Sequence, residues 1–252
     1  IDAAMHITGG QERPPSAGDI SICMYCKEFN EFTGDPETPL RAISAKLDAF
    51  MNDLPDFAKD REQLTGLYKD MLKVRCFDAK AVALQRTGKL GTYASSLGHE
   101  AAHIGIGSGM QLDDVLAPSY REYGAQFVRG VKPREVLLYW GGDERGNDFS
   151  GPAHDFAWCV PIGTQCLHAA GAALAFKLRK EPRVAVACVG DGGSSKTDTN
   201  AAINAAGAYG LPFVLCIINN QWAISVPRNA QTGAKTLAQK GVAGGLECLQ
   251  VD

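Results

Sequence analysis

No stretch of eighteen consecutive apolar residues occurs in the 252-residue chain, so no membrane-spanning helix is expected. An excess of one charge is also lacking. The 25 Lys and Arg stand against 28 Asp and Glu, for a net charge of -3 and a pI near 6.0, which leaves no basic footprint for a nucleic acid. The opening IDAAMHITGGQERPPSAGDI lacks the charged segment and apolar core of a signal peptide. No internal repeat is found. Zinc-type cysteine spacing is missing as well, because Cys23-x-x-Cys26 is a lone pair with no second pair to complete a site. Of the eight cysteines, several lie inside apolar runs, as Cys188 does in ACVG and Cys216 in VLCII, and read as small hydrophobes. Together these absences point to a protein of a reducing cytoplasm, with no membrane and no nucleic-acid partner.

What is present is ordinary for a globular chain, with 45% hydrophobic and 21% charged residues. The length suits one large domain or two small ones. Residues 1–40 are rich in Gly, Pro and polar residues and read as an N-terminal arm with a short strand near ISICMY. A domain is expected over 41–252, with a helix or linker at 41–53. From Asp60 to Arg86 apolar residues recur at three and four, the pattern of a long amphipathic helix. Two glycines in TGKLG stop it. A second helix is expected over 98–110, and DDVLAPSYREYG reads as a short strand or turn feeding a helix. Residues 141–158 form a Gly-rich loop, and 160–180 a helix of small residues. The chain begins at Ile1 and ends at Asp252, straight after an apolar stretch, LECLQVD, that reads as a strand. A fragment or processed product is therefore expected, with the C-terminal part of the domain missing.

The most informative stretch is 184–225. An apolar strand ends in Gly190-Asp191-Gly192, a helix follows over about 197–209, and a second strand, 213–218, ends in Asn219-Asn220. Strands alternating with helices argue for a parallel sheet with right-handed crossovers, and strands apolar throughout argue for helices on both faces. The expected class is therefore α/β, a doubly wound parallel sheet. In such sheets ligands bind at the carboxyl ends of the strands. A carboxylate and a carboxamide oxygen meeting there suit Mg²⁺ or Ca²⁺, and magnesium completes its shell with phosphate oxygens and water. Gly190 and Gly192 let a ligand approach the backbone. Ser194 and Ser195 precede a helix N-terminus, which favours an anion. The sum is a magnesium-diphosphate site.

The order GDG, helix, strand, NN resembles the thiamine diphosphate signature. Five blocks in sequence extend the likeness: ALQRTGKLGTYASSLGHEA, PSYREYGAQFVRG, VPIGTQCLHAAGAALA, GDGGSSKTD and NNQWAISVP. From about Leu64 to Asp252 the chain resembles the alpha subunit of the thiamine-dependent first component of 2-oxo acid dehydrogenase complexes. The wording of RTGKLGTY and GDGGSSKTD is closer to bacterial pyruvate-type subunits than to branched-chain ones. The resemblance implies a thiamine diphosphate-binding fold. It implies magnesium ligands at Asp191, Asn220 and the Trp222 carbonyl, and diphosphate contacts from Tyr120, Arg121 and the backbone at Gly190, Gly192 and Gly193. Ile162 stands where the family has the apolar residue under the bent cofactor. Cys159, Pro161, Thr164 and Gln165 fall where some members hold potassium, with Thr164 and Gln165 keeping the pattern. No catalytic residue is assigned within this chain.

The same resemblance implies oxidative decarboxylation of a 2-oxo acid, pyruvate before a branched-chain acid, with acyl transfer to a lipoyl group. It implies an alpha2-beta2 heterotetramer in which the beta subunit supplies the activating glutamate. The lipoyl-bearing acyltransferase component is the next partner. Two departures stand out. Lys196 and Ala201 replace glutamates of many relatives, and Ala94 replaces a histidine of some pyruvate-type members. The family's later loop histidine falls beyond Asp252. Two alternatives stay open: a different thiamine enzyme, and a fragment that folds or assembles without binding cofactor. His103 and His168 read as packed or surface residues.

Overall fold

The computed structural model describes the backbone of 19–22 and 29–32 and all of 60–251. The expected helix at 41–53 and the Cys23/Cys26 pair lie outside the described residues. The chain divides into two units, Ile1–Thr65 and Gly66–Asp252. In the first, β1 (Asp19–Ile22) and β2 (Phe29–Phe32) form an antiparallel ladder with Asp19 opposite Phe32. The expected short strand near ISICMY is thus found, shifted toward its start.

Helix α1 (Arg61–Arg86) forms where the three-four periodicity predicts it. Asp60 starts it, its Oδ1 accepting from the Glu62 and Gln63 amides at 2.9 and 3.0 Å, as a good N-cap does. Farther along, α1 buries Val74, Phe77 and Ala81 together with one carboxylate, Asp78. That carboxylate is fully engaged. It accepts from Tyr93 Oη at 2.9 Å, Ser95 Oγ at 2.7 Å and the Ser96 amide at 2.7 Å, which folds TYASS back onto the helix.

The sheet of the second unit has three parallel strands in the order β3 (Val115–Ala117), β4 (Ala185–Gly190), β5 (Phe213–Ile218). Val115 faces Ala185 on one side of β4, and Ala185 to Gly190 face Phe213 to Ile218 on the other. The side chains of β4 alternate between two cores. Ala185, Ala187 and Val189 pack with Cys166, Ala169, Ala173 and Phe176 of α5 (Thr164–Arg179) and Ala202 of α6 (Thr197–Tyr209). Val186 and Cys188 pack with Ile106 of α2 (Glu100–Gly109) and Ala125 of α3 (Tyr123–Val128). The doubly wound α/β expectation is borne out in this covering of both faces. The small residues of α5 are explained by it: alanines let the helix lie close to the strands.

A third core joins Phe77, Tyr123, Val136 and Trp158, the last two from α4 (Pro133–Trp140) and the loop after it. The Gly-rich segment 141–158 is therefore anchored. It holds a 3-10 turn at Glu144–Asn147, and Trp158 Nε1 donates to Gln126 Oε1 at 2.6 Å. Two expectations need correcting. Residues 246–251 are not a strand: the Leu246 amide turns back to Gly241 O at 3.0 Å, and no strand lies alongside to pair with them among the described residues. And β5 is not covered on both faces, since Val214 is 46% exposed.

Candidate functional site

The three parallel strands end side by side, and each is followed by residues singled out above. After β3 come Tyr120 and Arg121. After β4 comes Asp191, and after β5, Asn219 and Asn220. The Asp191 amide donates to Ile218 O at 3.1 Å, so the β4 and β5 ends stay in register to the last residue.

Asp191 is wholly buried, yet neither carboxylate oxygen has a hydrogen-bond partner of good geometry. Burial pushes its carboxyl above the ordinary Asp range. Its own amide, the amides of Gly192 and Asn220 and the Arg228 guanidinium pull the other way without prevailing. A buried carboxylate in this state is neutralised either by a proton or by a cation.

The turn that follows is packed too tightly for side chains. A Cβ on Gly192 would stand 2.6 Å from the Ala223 Cβ, and one on Gly193 would collide with Val189 and with Ile162 Cγ2. Gly192 and Gly193 therefore lie beneath the hairpin of β6 (Trp222–Ala223) and β7 (Val226–Pro227) and against Ile162, which remains 38% exposed. Gly190 is the last residue of β4, and nothing would meet a Cβ placed there.

Asn220 is exposed, and its Oδ1 accepts from the Trp222 amide at 3.1 Å. A carboxamide oxygen has a second lone pair, so that bond leaves it able to coordinate. The Asn219–Pro227 segment is strained. Gln221 and Ile224 hold left-handed φ values of 67° and 59°, and a β-branched residue there is a true outlier. Such strain gathers at ligand-holding turns.

Tyr120 and Arg121 are set by Glu122, whose buried carboxylate accepts from the Ser119 amide at 2.8 Å and Ser119 Oγ at 2.9 Å. Burial pushes the Glu122 carboxyl upward. The Arg121 guanidinium lies 5.1 Å from the centre of the Tyr120 ring, and its buried Nε has no partner. Behind it, His103 is fully buried with both ring nitrogens unpartnered. Burial, His99 and Arg121 depress it to about 3.

In the segment where potassium was considered, Cys159 Sγ donates to Pro161 O at 3.3 Å. Gln165 Nε2 donates to Cys188 O at 2.7 Å, while Gln165 Oε1 is buried and unpartnered. Thr164 opens α5. No three His, Cys, Asp or Glu side chains cluster as metal ligands among the described residues. A cation at this rim would therefore rest on one carboxylate plus neutral oxygens.

Three residues at the rim escaped the sequence reading. Arg228 and Gln231 lie on the single turn α7 (Arg228–Gln231), and Lys240 lies on α8 (Ala238–Ala243). Their segment has no periodicity or motif that would have marked them.

Comparison with known proteins gives relatives over most of the chain. It is 41% identical over 192 residues to the pyruvate dehydrogenase E1 component subunit alpha of Acholeplasma laidlawii, covering 76% of this chain and 56% of that one. It is 39% identical over 203 residues to the 3-methyl-2-oxobutanoate dehydrogenase subunit alpha of Mycobacterium tuberculosis, covering 81% and 54%. A solved structure of a putative thiamin diphosphate-dependent enzyme from Mycobacterium smegmatis aligns with a TM-score of 0.41 and 22% identity. It covers 62% of this chain and 26% of that one, a likeness too slight to carry a function across. The chain spans about half the length of the curated relatives it matches. The family model described as "Dehydrogenase E1 component" matches residues 68–252, which include all three strand ends of the rim, and the chain belongs to that family.

Proposed function

We propose that this chain is the alpha subunit of a thiamine diphosphate-dependent 2-oxo acid dehydrogenase, acting on pyruvate. The reading rests on one observation above all. At the end of β4, Asp191 is buried with both oxygens unpartnered, beside the Asn220 turn. That donor set fits magnesium, a hard cation that takes few protein oxygens and leaves room for phosphate.

In this reading Asp191, Asn220 and the Trp222 carbonyl hold Mg²⁺. Tyr120, Arg121 and the backbone at Gly190, Gly192 and Gly193 receive the diphosphate, with the guanidinium suited to two phosphate oxygens at once. Ile162, already against Gly193, is the apolar support beneath the cofactor. Gln165 Oε1 is the buried acceptor that a potassium ion would engage. The chemistry that thiamine diphosphate supplies when bound is decarboxylation of a 2-oxo acid and transfer of the acyl unit to a lipoyl group. This chain's task is to bind and orient the diphosphate end. The domain read over 41–252 would do so together with a beta subunit, in an alpha2-beta2 assembly that serves a lipoyl-bearing acyltransferase. The cytoplasm is the proposed compartment, in keeping with six described cysteines that are all free. No helix among the described residues is long and apolar enough to cross a membrane.

A branched-chain 2-oxo acid is the second reading. The 3-methyl-2-oxobutanoate dehydrogenase subunit matches at 39% identity, beside 41% for the pyruvate enzyme.

Calorimetric titration with thiamine diphosphate and Mg²⁺, with and without a cognate beta subunit, tests the proposal. Binding that requires magnesium and disappears in Asp191→Ala supports it. Binding that survives in Asp191→Ala rejects the site. Turnover of pyruvate against 3-methyl-2-oxobutanoate by the assembled enzyme decides the substrate.

A further inference from the structure

The turn that carries Asp191 is held from outside by side chains about forty residues downstream. Gln231 Nε2 lies 3.2 Å from Asp191 O, 3.0 Å from Gly192 O and 2.6 Å from Ser195 Oγ, so its two hydrogens serve three acceptors and one of them is shared. Lys240 Nζ donates to Ser194 Oγ and Ser195 Oγ, both at 2.9 Å. Ser194 Oγ in turn donates to Asp191 O at 2.6 Å. The orientation of the Gln231 amide is not arbitrary. Two backbone carbonyls face its nitrogen, and reversing it would set oxygen against oxygen. The orientation also leaves Gln231 Oε1 buried without a partner, a cost that the donor contacts must outweigh.

A proton count on Ser195 follows. A hydroxyl has one donor hydrogen and two acceptor lone pairs. Ammonium can only donate, and Gln231 presents its N–H groups. Ser195 Oγ therefore accepts twice, and its own hydrogen is left to point away from both, on an exposed residue at the head of α6.

We propose that Gln231 and Lys240 are positioning residues: they clamp the Asp191–Ser195 turn, and through it set how well Asp191 holds its cation and how Ser195 presents its hydrogen to an anion. This rests on the reading of Asp191 as a magnesium ligand. Neither residue touches the cation. Their effect passes through two carbonyls and two hydroxyls.

The test uses the full chain with its beta subunit and three substitutions. Gln231→Glu keeps the size of the side chain but removes the N–H donors. Lys240→Met removes the ammonium and keeps the stem, whereas Lys240→Arg restores a cationic donor. One readout is hydrogen exchange at the Ser194, Ser195 and Lys196 amides, which bond to Asp191, Gly192 and Gly193 carbonyls, with the Leu211 amide bonded to Ala206 O as control. The other is magnesium-dependent binding of thiamine diphosphate.

The clamp predicts at least tenfold faster exchange at the three turn amides in Gln231→Glu, with Leu211 unchanged. It predicts at least fivefold weaker binding in Gln231→Glu and Lys240→Met, recovered in Lys240→Arg. Turn exchange and binding within twofold of wild type in both variants overturn it. Equal acceleration at Leu211 overturns it too, since the loss would then be general destabilisation. Absence of binding in the wild type defeats the magnesium reading instead, and the exchange arm then still decides the clamp.

Discussion

The two ends of the same three-stranded sheet treat their polar groups in opposite ways. Beneath the start of β3, Arg129 and Asp155 form an ion pair at 2.6 Å whose side chains are 4% and 0% exposed. Each partner makes further bonds. Arg129 also donates to Gln111 O and Asp114 O, and Asp155 accepts from the Leu116 amide. Asp114 accepts from the Gln111 and Val184 amides at 2.7 and 2.8 Å. At the other end, Asp191, Arg121, Gln165, Gln231 and Arg228 each leave at least one buried atom without a partner. Most buried polar atoms in folded proteins are paired, so the unpaired ones at this rim fit the binding role proposed above. One end serves the fold, and under the proposed function the other trades stability for binding.

The largest effect should come from breaking the satisfied end. Arg129→Ala strands a buried carboxylate and should cost about 3–5 kcal/mol of unfolding free energy, measured by denaturant titration. If it costs less than about 1 kcal/mol, the contrast between the two ends is lost. At the open end the sign reverses. Asp191→Asn should leave stability in the absence of ligand unchanged or higher, because burial already disfavours its charge. It should nevertheless weaken magnesium-dependent cofactor binding at least 100-fold, about 2.7 kcal/mol.

Packing under the rim comes next. Gly193→Ala forces a methyl against Val189 and Ile162 and should destabilise by about 1–3 kcal/mol, read as a lower denaturant midpoint. Near neutral pH the smallest effect is that of His103, and it grows only in acid. Burial holds His103 at about 3, below the ordinary 6.5, so the folded chain binds fewer protons than the unfolded chain between those values. Its contribution is intact above pH 6.5 and is lost as pH falls toward 3, by at most about 1.4 kcal/mol per pH unit. His103→Leu should flatten the stability–pH slope in that window relative to wild type. Identical slopes would mean that His103 is not buried neutral.

How much of this could be read from sequence depended on the range of the forces involved. Helix 197–209 and strand 213–218 were legible to the residue, because an apolar run bounded by turn residues is a local signal. The position of Asp191 and Asn220 at neighbouring strand ends was legible because strand ends align in a parallel sheet. The false strand at 246–251 came from the same reasoning: LECLQV has the composition of a strand, but a strand also needs a neighbour. The exposure of Val214 was hidden for a like reason, since coverage belongs to the assembled sheet. Arg129 with Asp155, and Gln231 with the Asp191 turn, could not be seen at all. They join positions 26 and about 40 residues apart through a few side-chain contacts that leave no periodicity. His103, read as packed or surface, proved wholly buried.

Under the proposed function, Asp191 and the unpaired rim around it bind a magnesium-bound diphosphate. The most direct measurement is the thermal midpoint of the wild-type chain and of Asp191→Asn, each with and without Mg²⁺ and thiamine diphosphate. The midpoint should rise on addition in the wild type only, with Asp191→Asn at least as stable as wild type before addition. An equal rise in both proteins, or an Asp191→Asn chain that is much less stable before addition, would contradict it.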